Sequence, residues 1–207
     1  MPTFVEALAP ERFSKYRAWA QGDEDIARRL YTKNVAIAEA LYTPLHTVEI
    51  SLRNVVDGAL RPTFGDFWFD DPQVIRAPYM RNRVAEARNK LRSLGPNLSR
   101  GHIIAELSFG FWGGMFGSGQ KRLWGPNLRR IFPSTIPLQR TDIARRLDDI
   151  RGIRNRIAHH EPIVQLDLNV AYGEILELTE WLSPDAANWT RRNSRFPQVC
   201  PAVPLIV

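Results

Sequence analysis

The chain predicts an all-α, bundle-like fold followed by a short irregular tail. Apolar residues recur at steps of three and four in several separate stretches, while strand-like alternation is scarce. With one cysteine (Cys200) in 207 residues, neither a disulfide framework nor a Cys-rich zinc site can hold the fold. Packing must do so, and 44% hydrophobic with 24% charged residues suits one ordinary globular domain. The helical domain is placed at 1–183 and the Pro-rich tail at 184–207.

Asp23 and Asp25 are plausible caps for the first long helix. Its stripe is Ala38, Leu41, Leu45, Val48, Leu52, Val55 and Ala59. Pro44 lies inside it and predicts a kink or a junction of two helices. A loop follows Arg61-Pro62, in which Phe64, Trp68 and Phe69 should plug a core edge. Residues 72–94 read as a very basic helix, closed by a turn at Gly95-Pro96-Asn97. The segment Phe109–Gly117 alternates glycines with aromatics. Its glycines weaken helix propensity, and core packing is favoured there over a ligand pocket. A further helix starts near Thr141 or Asp142, carries Ile143, Leu147, Ile150, Ile153 and Ile157, and must stop before Pro162. The last helix shows Leu168, Ala171, Ile175, Leu178 and Leu182. Beyond Pro184 periodicity fades, and the apolar ending 202–207 folds back or clasps a neighbour.

The formal net charge is +6, and 24 of the 28 basic residues are arginine. Planar guanidinium forks suit phosphates, so a nucleic-acid partner is implied; a merely solvated basic surface is the equal alternative. The longest uncharged aromatic stretch, Leu107–Gln120, is too short to cross a bilayer. The first ten residues have no basic start, which argues against a secretory signal. The reading is a cytoplasmic protein without a membrane partner.

The chemistry-bearing stretch is Arg151-Gly-Ile-Arg154-Asn155-Arg156-Ile-Ala-His159-His160-Glu161-Pro162. With Ile150 at the origin of a helical wheel, Ile143, Leu147, Ile153 and Ile157 fall within about 60° of it. Arg154 falls at about 40°, inside that apolar sector. A guanidinium there needs a partner or a crevice. Asn155 and His159 are four apart, the spacing at which an amide can orient an imidazole; Arg156 and His160 form a second such pair. Imidazole moves protons near neutral pH, and arginine clamps phosphate. The structural alternative is that both histidines serve the helix end.

Arg154-Asn155-x-x-x-His159 resembles the R-x4-6-H signature of the HEPN superfamily. The block from Ile153 to Ile163, ending in His-His-Glu-Pro, is similar to bacterial Abi-like (abortive infection) proteins of the AbiD and AbiF type. Three further blocks agree: Ala38–Tyr42 leading to Glu49–Asn54; Phe64-Gly65 with Trp68-Phe69; and Ala105–Trp112. The resemblance spans about residues 10–183. It implies a HEPN-like helical bundle that dimerises with a composite site, acting in phage defence or a toxin system. It further implies a metal-independent endoribonuclease without a cofactor, leaving 2′,3′-cyclic phosphate and 5′-hydroxyl ends. By position, Arg154 is the phosphate clamp, Asn155 the orienter and His159 the acid/base, with His160 as the fallback. Arg151 and Arg156 become substrate contacts.

A straight helix separates Arg154 and His159 by about 140°, so the helix must loosen before Pro162 or a second subunit must complete the site. Among supporting residues, Glu49 and Arg53 are more simply an i,i+4 ion pair. Glu106, isolated among apolar neighbours, could hold Arg154. The rival reading is a non-catalytic RNA-binding or regulatory module, in which Arg154 is locked in a buried ion pair. Another is simple nucleic-acid binding through the Arg76–Arg92 face. A regulatory or antitoxin-like partner is left open.

Overall fold

The computed structural model describes residues 3–8, 10–93, 95 and 99–201. They form helices and connecting turns, with no strand among them. The spine is α3 (Glu24–Phe64), unbroken for 41 residues and so about 60 Å long. It begins where the sequence said it could, with the Asp23 side chain accepting the Ile26 N–H at 2.9 Å. It ends at Gly65, whose φ of 80° suits glycine. Of the alternatives at Pro44, a kink or a junction of two helices, the junction does not form, and one expected loop boundary moves. Pro44 neither splits α3 nor starts a second helix, and the loop expected after Arg61-Pro62 is helix as far as Phe64. At Pro44 burial outweighs proline's missing N–H, since Leu41, Pro44, Leu45 and Val48 are all buried there; Pro62 is exposed and falls in the last turn of the helix, two residues after the buried Leu60.

Around α3 lie α2 (Pro10–Trp19), α8 (Leu168–Leu182), α9 (Pro184–Asn193) and α10 (Phe196–Val199) on some faces. Other faces carry α6 (Phe109–Gly114), α7 (Arg140–Ala158) and the short turn Trp68–Asp70. The remaining helices are α1 (Phe4–Ala7), α4 (Pro78–Arg92) and α5 (Arg100–Glu106). The basic helix is thus shorter than 72–94, and much of the Gly95-Pro96-Asn97 turn, like the ending 202–207, lies outside the described residues. Between Ser118 and Ile131 the chain runs in tight and wide helical turns that the sequence pattern did not reveal.

The segment after Pro184 is a correction, since it is helical and packs on α8 and α3. Ser183 caps α9 by accepting the Ala186 N–H, Pro184 occupies the first turn, and Ala187 and Thr190 are buried. Local capping chemistry starts this helix and a narrow face of small residues seats it, with few large apolar side chains to announce it.

The aromatics of the glycine-rich segment pack in the core as expected, while its glycines 110, 113, 114 and 117 line surface clefts. Phe109, Phe111, Trp112, Met115 and Phe116 are buried, and Trp112 lies edge-on to Trp68 at 6.2 Å. Asp57 of α3 anchors this layer, accepting Trp68 Nε1 at 2.9 Å and pairing with Arg100. The α7 stripe also holds: Ile143, Leu147 and Ile150 are buried, with Ile153 and Ile157 packed at the core's edge.

Candidate functional site

Helix α7 presents two faces. The Ile143–Leu147–Ile150 stripe seats it on the core, while Ala144, Asp148, Arg151 and Asn155 recur at steps of three and four on an outer face. Arg154 stands at the border between these faces. It is half-buried and has no hydrogen-bond or ion-pair partner among the described residues. Its nitrogens are nonetheless not sealed from solvent. They are served by a cleft of about 260 Å³, lined by Tyr79, Arg83, Ser108–Phe111, Arg151, Arg154 and Asn155. The guanidinium in the apolar sector is therefore tolerated because it borders a crevice, without a buried counter-charge.

Glu106 is not that counter-charge. It pairs with Lys90 at 2.5 Å, because α5 packs on α4 and ends beside that lysine. Arg151 pairs with Asp148 one turn earlier, and Arg83 with Glu86 at 2.7 Å, and both still line the cleft. The expected Glu49–Arg53 ion pair does not form among the described contacts. Both residues are half-buried, and the Arg53 Nε is buried without a partner; spacing of four allows such a pair without requiring it, since the gain is only about 0.2–0.5 kcal/mol.

The histidines lie past the end of the helix. Ala158 is its last residue, His159 is the cap at φ −94°, and His160 turns left-handed at φ 55°. The His160 N–H donates to Ile157 O at 3.0 Å and the Glu161 N–H to Arg156 O at 2.8 Å. This paired arrangement ordinarily places glycine where His160 stands. Arg12 of α2 donates to the carbonyls of His159 and His160, each at 3.2 Å. The helix-end carbonyls of Asn155, Arg156 and Ile157 are thus satisfied by backbone N–H groups, and the two carbonyls that follow by an arginine, with no imidazole used for either among the described residues.

Neither side-chain pair inferred from spacing forms. His159 meets Asn155 through its backbone N–H, at 2.9 Å, with no side-chain hydrogen bond between them among the described residues, and Asn155 lines the Arg154 cleft. His160 leaves helical geometry altogether. Arg156 bends back to Pro162 O at 3.2 Å and lies 3.7 Å from Glu161, bracing its own turn. Beyond it, Ile163 N–H is captured by the buried Asn34 of α3 at 2.7 Å.

His159 is exposed and does not line the Arg154 cleft. His160 lines a different one, an apolar groove of about 670 Å³ walled by α1, α2 and α3 through residues such as Ala7, Arg12, Tyr31, Val35 and Tyr42. Within one chain the structure brings Arg154, Asn155 and Arg151 together and places His159 and His160 outside their cleft. Sequence reasoning missed Tyr79 and placed Arg83 only in the basic Arg76–Arg92 face; both reach the cleft from α4, and no local spacing could have linked them to α7. Much of the Arg76–Arg92 charge is spoken for: Arg81 holds the carbonyls of Ile75 and Arg76, and Arg88 holds Asp70. Among the described residues no three His, Cys, Asp or Glu side chains gather as a metal-binding group. No helix among them is long and apolar enough to cross a membrane. Comparison with family models, curated proteins and solved structures returns no match.

Proposed function

We propose that the protein is a metal-independent endoribonuclease of the HEPN type, acting as a homodimer. The observation that carries the reading is Arg154, a half-buried guanidinium without a partner among the described residues that opens onto a cleft shared with Arg83, Arg151 and Asn155. Such a group is preorganised for an anion, since no carboxylate has to be displaced first. In the reaction a ribose 2′-oxygen gives its proton to an imidazole and bonds to the adjacent phosphorus. The bond from phosphorus to the 5′-oxygen breaks, and that oxygen takes up a proton. Arg154 balances the extra negative charge on the phosphorane, and His159, exposed at the end of α7, moves the protons. A strand without 2′-hydroxyls has no nucleophile and survives.

The placement of His159 outside the cleft makes a second subunit part of the proposal, because a facing copy can bring its imidazole to this Arg154. That same placement favours the second reading, a non-catalytic RNA-binding or regulatory module in which only the arginine cleft functions.

The test is incubation of single-stranded RNA with the wild-type protein and with Arg154→Ala and His159→Ala, all in EDTA. Each substitution should slow cleavage by about 100-fold or more while the strand ends remain cyclic phosphates. Equal cutting by all three would overturn the proposal.

A further inference from the structure

The Arg154 cleft does not end at Arg154. A second cleft, of about 580 Å³, adjoins it and shares Tyr79, Gly110 and Arg151 with it. Together they make a trough along the outer face of α7, from Asn155 back to Arg145. Its length between those residues is about 15 Å at the helical rise. That is roughly four nucleotides of a stacked strand.

Tyr79 stands where the two clefts meet. Its side chain is 57% exposed, yet among the described residues it packs on no aromatic ring and makes no hydrogen bond. Facing it are the glycines of α6, and Gly114 sets the position of its hydroxyl: a Cβ there would lie 2.9 Å from Tyr79 Oη. Arginines 83, 145, 151 and 154 line the trough, and its one carboxylate, Asp148, is already paired with Arg151. An exposed ring flanked by guanidinium groups offers a base a stacking surface and its neighbouring phosphates a row of donors.

We infer that the trough is the path of single-stranded RNA and that Tyr79 stacks a base next to the phosphate held by Arg154. This deepens the ribonuclease reading and rests on it for the class of nucleic acid. Tyr79 is a positioning residue in this scheme, since it touches a base and not the reacting atoms.

The probe is a fluorescent single-stranded 12-nucleotide RNA with every 2′-oxygen methylated, so that it binds without being cut. Tyr79→Ala should raise Kd by about 5- to 100-fold, with the melting temperature held. Tyr79→Phe should restore wild-type binding, and Gly114→Ala, which crowds both the phenol and the buried Met80 thioether, should weaken binding by an intermediate factor where its melting temperature is also held. A strand with one abasic position at the stacking site should be bound equally by wild type and Tyr79→Ala. A base-specific loss restored by Phe is the supporting outcome. Unchanged binding in Tyr79→Ala, or no binding of the strand by the wild type, overturns the trough, whether or not the protein cuts RNA. Tyr79-dependent binding without cleavage of unmethylated RNA keeps the trough and removes the nuclease.

Discussion

Two clefts flank the end of α7, and they differ in almost every physical respect. The Arg154 cleft is small and walled by arginines and the start of α6. The His160 groove is more than twice as large and mostly apolar, with Val35 and Tyr42 exposed along α3. One is prepared for an anion; the other has the character of a surface that excludes water. They stand apart because α7 stops at Ala158 and His160 takes a left-handed turn, sending the chain towards Asn34. A motif that is continuous in sequence is thereby divided between two environments.

The sharpest way to break that comparison is to mix two inactive proteins. Arg154→Ala and His159→Ala, co-refolded, should regain roughly a quarter of wild-type RNA cleavage if each site takes its arginine and histidine from different copies and pairing is random. Recovery near zero in verified mixed dimers would return both groups to one chain.

A smaller effect should come from the clamp that fixes the turn. Asn34→Ala leaves the buried Ile163 N–H unpaired and should lower stability by about 1–3 kcal/mol, read as a lower midpoint in urea. The Arg154 cleft shares no residue with that clamp, so binding of the methylated strand should persist under native conditions.

The smallest effect separates the two histidines. His160→Gly relieves the left-handed residue and should raise stability by about 0.5–1 kcal/mol. If His159 is the acid/base, RNA cleavage survives this change; lost activity in a more stable protein would assign the role to His160.

Much of the fold was legible because it is written in local periodicity. The α8 stripe and most of the α3 and α7 stripes are buried where spacing put them, with Ala38, Val55, Ile153 and Ile157 at the core's edge, and Asp23 caps α3 as its chemistry suggested. What was not legible depends on contacts distant in sequence or on burial overriding local preference. Pro44 inside α3 is tolerated by the packing around it, and α9 is made by a cap and a few buried residues. At the site, the oddity of Arg154 in an apolar sector was visible from the wheel, and a crevice does adjoin it. Its neighbours were not visible: Tyr79 and Arg83 come from a helix some 70 residues earlier in the chain. The pairing of Glu106 with Lys90 was equally hidden, because it depends on how α5 lies against α4.

The unbroken course of α3 constrains how this chain can change length. One residue inserted between Asn34 and Asp57 would rotate everything beyond it by about 100° and advance it by about 1.5 Å. The Asn34 hold on Ile163 and the Asp57 pairing with Arg100 of α5, which fix the two ends of this stretch to later elements, could not then both be kept. Insertions and deletions are therefore confined to connectors such as 133–139, and any engineered splice into the spine must come in steps that restore the helical phase.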